Sequence, residues 1–313
     1  SFGFAAFEKS KLSQIMIPQD SRLSTIGYRA FMHCEKLEQI SIPAGLQSID
    51  RYAFAYCGNL KTVDVPEGSQ LGGIYKSAFY NCSQLESIRI PDGVQEVGAY
   101  AFYGCSGLTE IDITDESKLM SIDDHAFEYS AVTSFAMPKD LVEIGTAAFN
   151  GAKLETLIVN DSIQEIGRNA FADCGLAKMT KLEFPVSVTY LGNGALKGAD
   201  TIEELTLPFF GEYLGDSQTL IDLFGNVNYE ELNKLETLTC LQGQFVPDSY
   251  CIYFSHLKKI SLPDTVTWID YMAFSVTGLT EFTMPSELQK IDMYAFSGCE
   301  NLEKVILNDK LEV

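Results

Sequence analysis

Leu85-Glu86-Ser87-Ile88-Arg89-Ile90-Pro91-Asp92-Gly93-Val94-Gln95-Glu96-Val97-Gly98-Ala99-Tyr100-Ala101-Phe102-Tyr103-Gly104-Cys105 is the stretch on which the fold turns. Its opening alternates apolar and polar residues up to a proline. That alternation is strand periodicity, with Ile88 and Ile90 inward and Ser87 and Arg89 outward. Pro91 cannot donate to a ladder, so it stops the strand after about three residues. A second apolar pair follows at Val94 and Val97, then Gly98, then Ala101-Phe102 and a small residue, Cys105.

The pattern recurs along the chain. The Ala-Phe pair ends at Phe7, Phe31, Phe54, Phe79, Phe102, Phe127, Phe149, Phe171, Phe274 and Phe296. Composition alone predicts about 1.4 such pairs. Spacings of 22 to 25 residues, interrupted by a gap of 103 between Phe171 and Phe274, define a solenoid period. Nine of the ten prolines close a short alternating run. Each coil is therefore expected to contribute one short strand, thirteen in all, running parallel because the rest of the coil is the crossover. The corner before Ala-Phe accepts mainly Gly or Asp, as at Gly27, Asp50, Gly98, Gly145 and Asp222. This predicts a positive φ or an N-cap there, followed by one helical turn.

The expected fold class is an α/β solenoid. It is a right-handed stack with a parallel sheet on the concave face and short helical or extended segments on the convex face. One solenoid spans 1–313, with an irregular, insertion-bearing region at 208–256. Two short helices are expected there, Ser217 to Phe224 and another after Asn228. Phe2, Gly3, Ala6 and Phe7 read as the second half of a coil, so the chain is expected to open in mid-repeat, with any export signal upstream.

Composition narrows the function. Hydrophobic residues make up 46% and charged residues 21% of 313, which suits a folded chain with a real core. Lys and Arg number 22 against 43 Asp and Glu, a net charge of −21, which repels phosphate backbones and anionic lipid. No nucleic acid partner and no direct membrane insertion are expected. Zinc-type Cys-x-x-Cys pairs, His-Glu-x-x-His, Gly-x-Ser-x-Gly and the phosphate-binding Gly-rich loop are all missing, so no metal, no cofactor and no enzyme chemistry is expected.

The unit Leu-x-x-Ile-x-Ile-Pro-x-x-Val-x-x-Ile-Gly-x-x-Ala-Phe-x-x-Cys closely resembles the BspA-like, or treponemal, class of leucine-rich repeat. The match covers 1–207 and 257–313, with Thr114 and Asn160 in place of the proline and Leu196 in place of the Phe. The resemblance implies an extracellular or surface-attached, non-enzymatic adhesion or ligand-binding protein of a host-associated microbe, whose partner is a host or matrix protein or peptide. The alternative is a passive stalk presenting another domain.

Six of the eight cysteines, Cys34, Cys57, Cys82, Cys105, Cys174 and Cys299, stand three residues after the repeat Phe, where Ser, Ala and Thr stand in other coils. Stacked coils aim such side chains in parallel, which opposes disulfide geometry. Reduced packing cysteines are expected, with Cys240 and Cys251 the exception. The Phe column reads as core. Candidate ligand residues are therefore those that vary between coils: Asp64, Arg89, Glu110 and Asp112 on the outward strand face, and Phe209, Phe210, Tyr213 and Tyr229 among the nine aromatics of the irregular region.

Overall fold

In the computed structural model, residues 1–176, 178–210, 219–225 and 234–311 are described. They form two compact units, Ser1–Ile163 with Ala170–Cys174, and Gln164–Asn169 with Gly175–Val313. Both are stacks of parallel coils, and the thirteen expected strands are all present. In the first unit, Gln14–Ile15, Gln39–Ser41, Thr62–Asp64, Ser87–Arg89 and Glu110–Asp112 form one sheet, and Ser134–Ala136 pairs with Thr156–Ile158. In the second, Lys181–Glu183, Glu204–Leu207, Thr237–Cys240 and Lys259–Ser261 form a sheet, and Glu281–Thr283 pairs with Lys304–Ile306. The ladder Glu204↔Thr237 to Leu207↔Cys240 crosses the irregular stretch without a break.

Each regular coil carries a second strand that the periodicity did not reveal. Thr25–Ile26, Ser48–Ile49, Gly73–Ile74, Glu96–Val97, Ser121–Ile122 and Glu143–Ile144 lie side by side in the first unit. Two residues are too few to show alternation. Their pairing is set by the neighbouring coil.

The convex-side helical turn is not formed. N–H groups of alternate residues at the corner donate to the next coil instead: Arg29 to Arg51 O, Phe31 to Ala53 O and His33 to Ala55 O, at 2.7 to 3.1 Å. Ala30, Met32 and Cys34 close three-residue turns within their own coil. The backbone manages this by placing left-handed residues two positions before and after the Phe, as at Arg29 and His33, Tyr52 and Tyr56, and His125 and Tyr129. A helix would turn every N–H inward. Inter-coil bonding needs half of them turned out.

The corner Gly has a different reason from the expected one. Gly98 and Gly145 are not among the positive-φ residues; a Cβ at Gly98 would stand 2.8 Å from the Lys76 nitrogen, and one at Gly145 2.5 Å from the Asp124 nitrogen. Coils simply approach too closely. Where Asp occupies the corner, its carboxylate accepts the next N–H, as Asp50 does from Arg51 at 2.7 Å. Asp222 is not a corner residue. It lies in the short helix Leu220–Leu223, where its carboxylate accepts from the N–H and hydroxyl of Thr219. Of the two helices expected in the irregular region, this is the one seen, and the segment after Asn228 lies outside the described residues.

The core of the first unit is a column of rings. Phe31, Phe54, Phe79, Phe102, Phe127, Phe149 and Phe171 are at most 1% exposed. Successive centroids from Phe31 to Phe149 are 5.1 to 5.2 Å apart with planes 4 to 12° from parallel. The Ala before each Phe is fully buried and its carbonyl accepts from the Phe N–H of the preceding coil. That bond leaves no room for a larger residue.

The cysteine column has an equally local explanation. Cys34, Cys57, Cys82, Cys105, Cys174 and Cys299 donate their thiols to the carbonyls of Phe7, Phe31, Phe54, Phe79, Phe149 and Phe274 at 2.9 to 3.2 Å. All eight cysteines are free, Cys240 and Cys251 included. Burial pushes the Cys105 and Cys174 thiols up to about 12, which disfavours the reactive thiolate. Native protein at pH 8 is expected to show at most one fast thiol, Cys299, towards an aromatic disulfide reagent, and eight after unfolding without reductant. Recovering fewer than eight would reveal a disulfide.

Candidate functional site

The strand face of the first unit presents one outward residue per coil at the C-terminal end of each strand. Pairing Ser41↔Asp64 and Arg89↔Asp112 stacks these positions, and the Thr62↔Ser87 register brings Asp64 and Arg89 to one level. Ser41 Oγ donates to Asp64 Oδ2 at 3.1 Å, and Arg89 Nε lies 3.6 Å from Asp112 Oδ2. Glu110 sits opposite Ser87 and is exposed. The four charged residues read from the sequence therefore share one surface. Its acid-to-base ratio leaves two carboxylates beyond the one ion pair.

The strand ladder opens beside this row. The first sheet ends at Glu110–Asp112, and Ser134–Ala136 starts another. Ile111 is only half-buried, whereas Ile88 is 2% exposed in the preceding coil. The coils on either side differ in length: Phe102 to Phe127 spans 25 residues and Phe127 to Phe149 spans 22. The surplus lies just after Asp112, where Thr114 replaces the usual proline.

At the ends of the strands lies a groove of about 580 Å³, formed by the turns that follow them and lined by Thr114, Asp115, Met137, Lys139, Ile158 and Asn160, among others. Asn160 replaces the proline of its own coil and holds the groove's edge. Its amide donates to the carbonyls of Pro138 and Leu141, and its oxygen accepts from the N–H groups of Ser162 and Ile163. Ile158 is 65% exposed at the mouth. Apolar Met137 and Ile158 together with Asp115, Lys139 and Asn160 make a cleft that can seat one side chain of a polypeptide and bond its backbone.

The aromatic candidates of the irregular region fall differently. Phe209 and Phe210 are 2% and 3% exposed, and Phe210 meets Tyr250 edge-on at 5.1 Å. They fill the core of the second unit and present no surface to a ligand. Tyr213 and Tyr229 lie outside the described residues.

Among the described residues no group of three or more His, Cys, Asp or Glu is placed to hold a metal. His33, His125 and His256 have separate partners: the Tyr56 ring, the Glu128 carboxylate and the Ser255 hydroxyl. No described helix is long and apolar enough to cross a membrane. One surface escaped the sequence reading altogether, a run of tyrosine and histidine on the turn side of the first unit. Tyr or His at one of three positions around the repeat Phe, in coil after coil from His33 to Tyr129, was the available signal.

The description "BspA type Leucine rich repeat region" matches in six copies over residues 1–131, 120–244 and 246–313. The chain belongs to the BspA-type leucine-rich repeat family. Solved structures similar to this BspA-type chain include a leucine-rich repeat protein from Bacteroides ovatus, 25% identical over 96% of this chain and 82% of that one, with a TM-score of 0.49. A leucine-rich cell surface protein from Faecalibacterium prausnitzii is 20% identical over 97% and 75%, with a TM-score of 0.46. The pneumococcal vaccine antigen PcpA is 20% identical over 88% and 67%, with a TM-score of 0.39. A search of the curated proteins finds no match.

Proposed function

We propose that this chain is a non-enzymatic protein-binding or adhesion module displayed outside the cell, and that it engages a host or matrix protein or peptide through the strand face of its first unit. The carrying observation is the groove lined by the turns that follow Glu110–Asp112, Ser134–Ala136 and Thr156–Ile158, set beside the Asp64, Arg89, Glu110 and Asp112 row. A rigid polar sheet with one mixed cleft suits a polypeptide, whose side chain fills the cleft while charges along the row set its register. Membership of the BspA-type family is consistent with display at the cell exterior.

Binding to an array of extracellular-matrix proteins, measured by surface plasmon resonance, tests the reading. The triple variant Asp64→Lys, Arg89→Glu, Asp112→Lys is expected to weaken the strongest interaction about tenfold or more, because like charges then face each other across the interface. Ile158→Asp is expected to act in the same direction through the cleft. An interaction unchanged by both variants, with the fold intact by circular dichroism, rules the strand face out.

A further inference from the structure

Along the turn side of the first unit, aromatic rings from five consecutive coils touch one another. His33 stacks on Tyr56 at 4.6 Å, Tyr80 on Tyr103 at 4.8 Å and Tyr100 on His125 at 4.5 Å, with planes 5 to 15° apart. Tyr56 joins Tyr80 at 5.3 Å with a 58° tilt, Tyr100 joins Tyr103 at 5.7 Å with a 50° tilt, and Tyr129 meets Tyr103 edge-on at 5.6 Å. Most of these rings are half-buried; Tyr129 is 50% exposed.

The backbone does not ask for them. His33, Tyr56, Tyr100, His125 and Tyr129 are left-handed positions at φ 57 to 62°; the places equivalent to His33, Tyr56 and Tyr129 are held in other coils by Asn81, Gly104 and Gly151, and those equivalent to Tyr100 and His125 by Arg29, Ser77 and Ala147. Asn or Gly meets that conformation at lower cost. Nor is the core short of rings, since the Phe column supplies it. The aromatic choice is thus surplus to folding.

Beneath the rings lies a buried carboxylate. Glu128 is 7% exposed, accepts from Asn150 Nδ2 at 2.7 Å and pairs with His125 Nδ1 at 2.6 Å. Burial, then the neighbouring phenols and Glu128, hold the Tyr80 phenol above its ordinary range; burial, then Glu128 and the neighbouring phenols, do the same for Tyr103. These hydroxyls stay neutral and available as donors. Along the same coils the surface is acidic. Glu96 bonds the Asp123 carboxyl, and burial, then Glu96, Glu143 and Asp124, push Asp123 up to about 6. A cation of the chain already sits on this face, with Lys76 Nζ 5.7 Å from the Tyr100 ring centroid.

We propose that this aromatic face is a second docking surface, and that its occupant is an arginine-bearing segment of a partner protein. Tyrosine offers rigid amphipathic area at low entropic cost. A guanidinium is planar and weakly hydrated, so it stacks on phenol faces left open by the tilted neighbours and bonds their hydroxyls, while the acidic residues beside it supply the complementary charge. Other occupants fit less well. A sugar ring is neutral and gains nothing from the acidic residues beside the phenols. A second copy of the chain brings another −21 of charge, which repels. This surface lies on another side of the coils from the strand face, and the proposal does not rest on that site.

Fluorescein-labelled nona-arginine and nona-lysine peptides, titrated with the full chain at 150 mM salt and followed by anisotropy, test it. The arginine peptide is expected to bind at least fivefold more tightly than the lysine peptide, because simple attraction to a negative chain does not distinguish them. Tyr103→Ala with Tyr129→Ala is expected to weaken the arginine peptide at least fivefold and bring the ratio of the two affinities towards one. Asp124→Asn is expected to weaken both peptides alike, and Asp112→Asn on the strand face to leave the ratio unchanged. Should the double variant unfold, Tyr129→Ala alone carries the test, with at least a twofold loss for the arginine peptide only. Equal affinity for the two peptides, a ratio untouched by the aromatic variants, or a ratio that follows Asp112→Asn overturns the proposal.

Discussion

Phe102→Ala is expected to remove about 3–5 kcal/mol of stability, the range for truncating a large buried aromatic. Phe102 is fully buried between Phe79 at 5.2 Å and Phe127 at 5.1 Å, both nearly parallel to it. Alanine would leave a gap with a ring on each side, and the rings cannot close it. Their spacing is set by backbone bonds from Phe79 to Ala101 O and from Phe102 to Ala126 O, at 2.8 and 2.7 Å. Because each coil contacts only its neighbours, the damage should be local: hydrogen exchange should accelerate first in the coils around Phe102. Phe102→Leu, which keeps most of the volume, should cost under about 1.5 kcal/mol. Urea unfolding of the three proteins measures the difference. A loss below about 1 kcal/mol for the alanine variant would mean that the column is not the main support of the stack.

The second large effect is expected from one added methyl group. At Gly145 a Cβ would lie 2.5 Å from the Asp124 nitrogen and 2.7 Å from the Asp123 carbonyl carbon, both backbone atoms with no rotamer to escape into. Gly145→Ala should therefore force two coils apart and strain the Gly145 N–H bond to Ile122 O, now 2.7 Å long. A cost of about 1–3 kcal/mol is expected, the usual range for overpacking. The control is Gly45→Ala, where the nearest atom to the new Cβ is 3.9 Å away and φ is not positive. It should be neutral or slightly stabilising through the unfolded chain. Thermal melts of both variants separate the two reasons for a corner glycine. Equal melting temperatures would show that close approach does not constrain this position.

The contrast between those two glycines marks where sequence reading stops. Gly98 and Gly145 advertise a special position, and left-handed backbone is the ordinary reason for one. The operative reason is a neighbour in the preceding coil, Lys76 for Gly98 and Asp124 for Gly145, which the pattern along one coil does not reveal. The helical turn failed likewise. Four residues from corner to Phe suit a turn of helix, but Phe31, Phe54 and their equivalents bond to carbonyls in the next coil. The candidate site divides in the same way. Asp64, Arg89, Glu110 and Asp112 were legible because strand alternation fixes which side chains face out. Phe209 and Phe210 were misplaced because an irregular segment has no period from which to tell inside from outside.

Repetition alone determined the stack: identical apolar residues every 22 to 25 positions can be buried only if like meets like in columns. It also determined that six of the eight cysteines lie in phase and that thirteen short parallel strands form. Tertiary structure decided what depends on distances between coils. It opened the strand ladder after Asp112, and it brought Tyr56 against Tyr80 and Tyr103 against Tyr129 from different positions in their coils. The reason is that a period specifies which residues are equivalent, while contact across coils depends on the size and tilt of residues that are not.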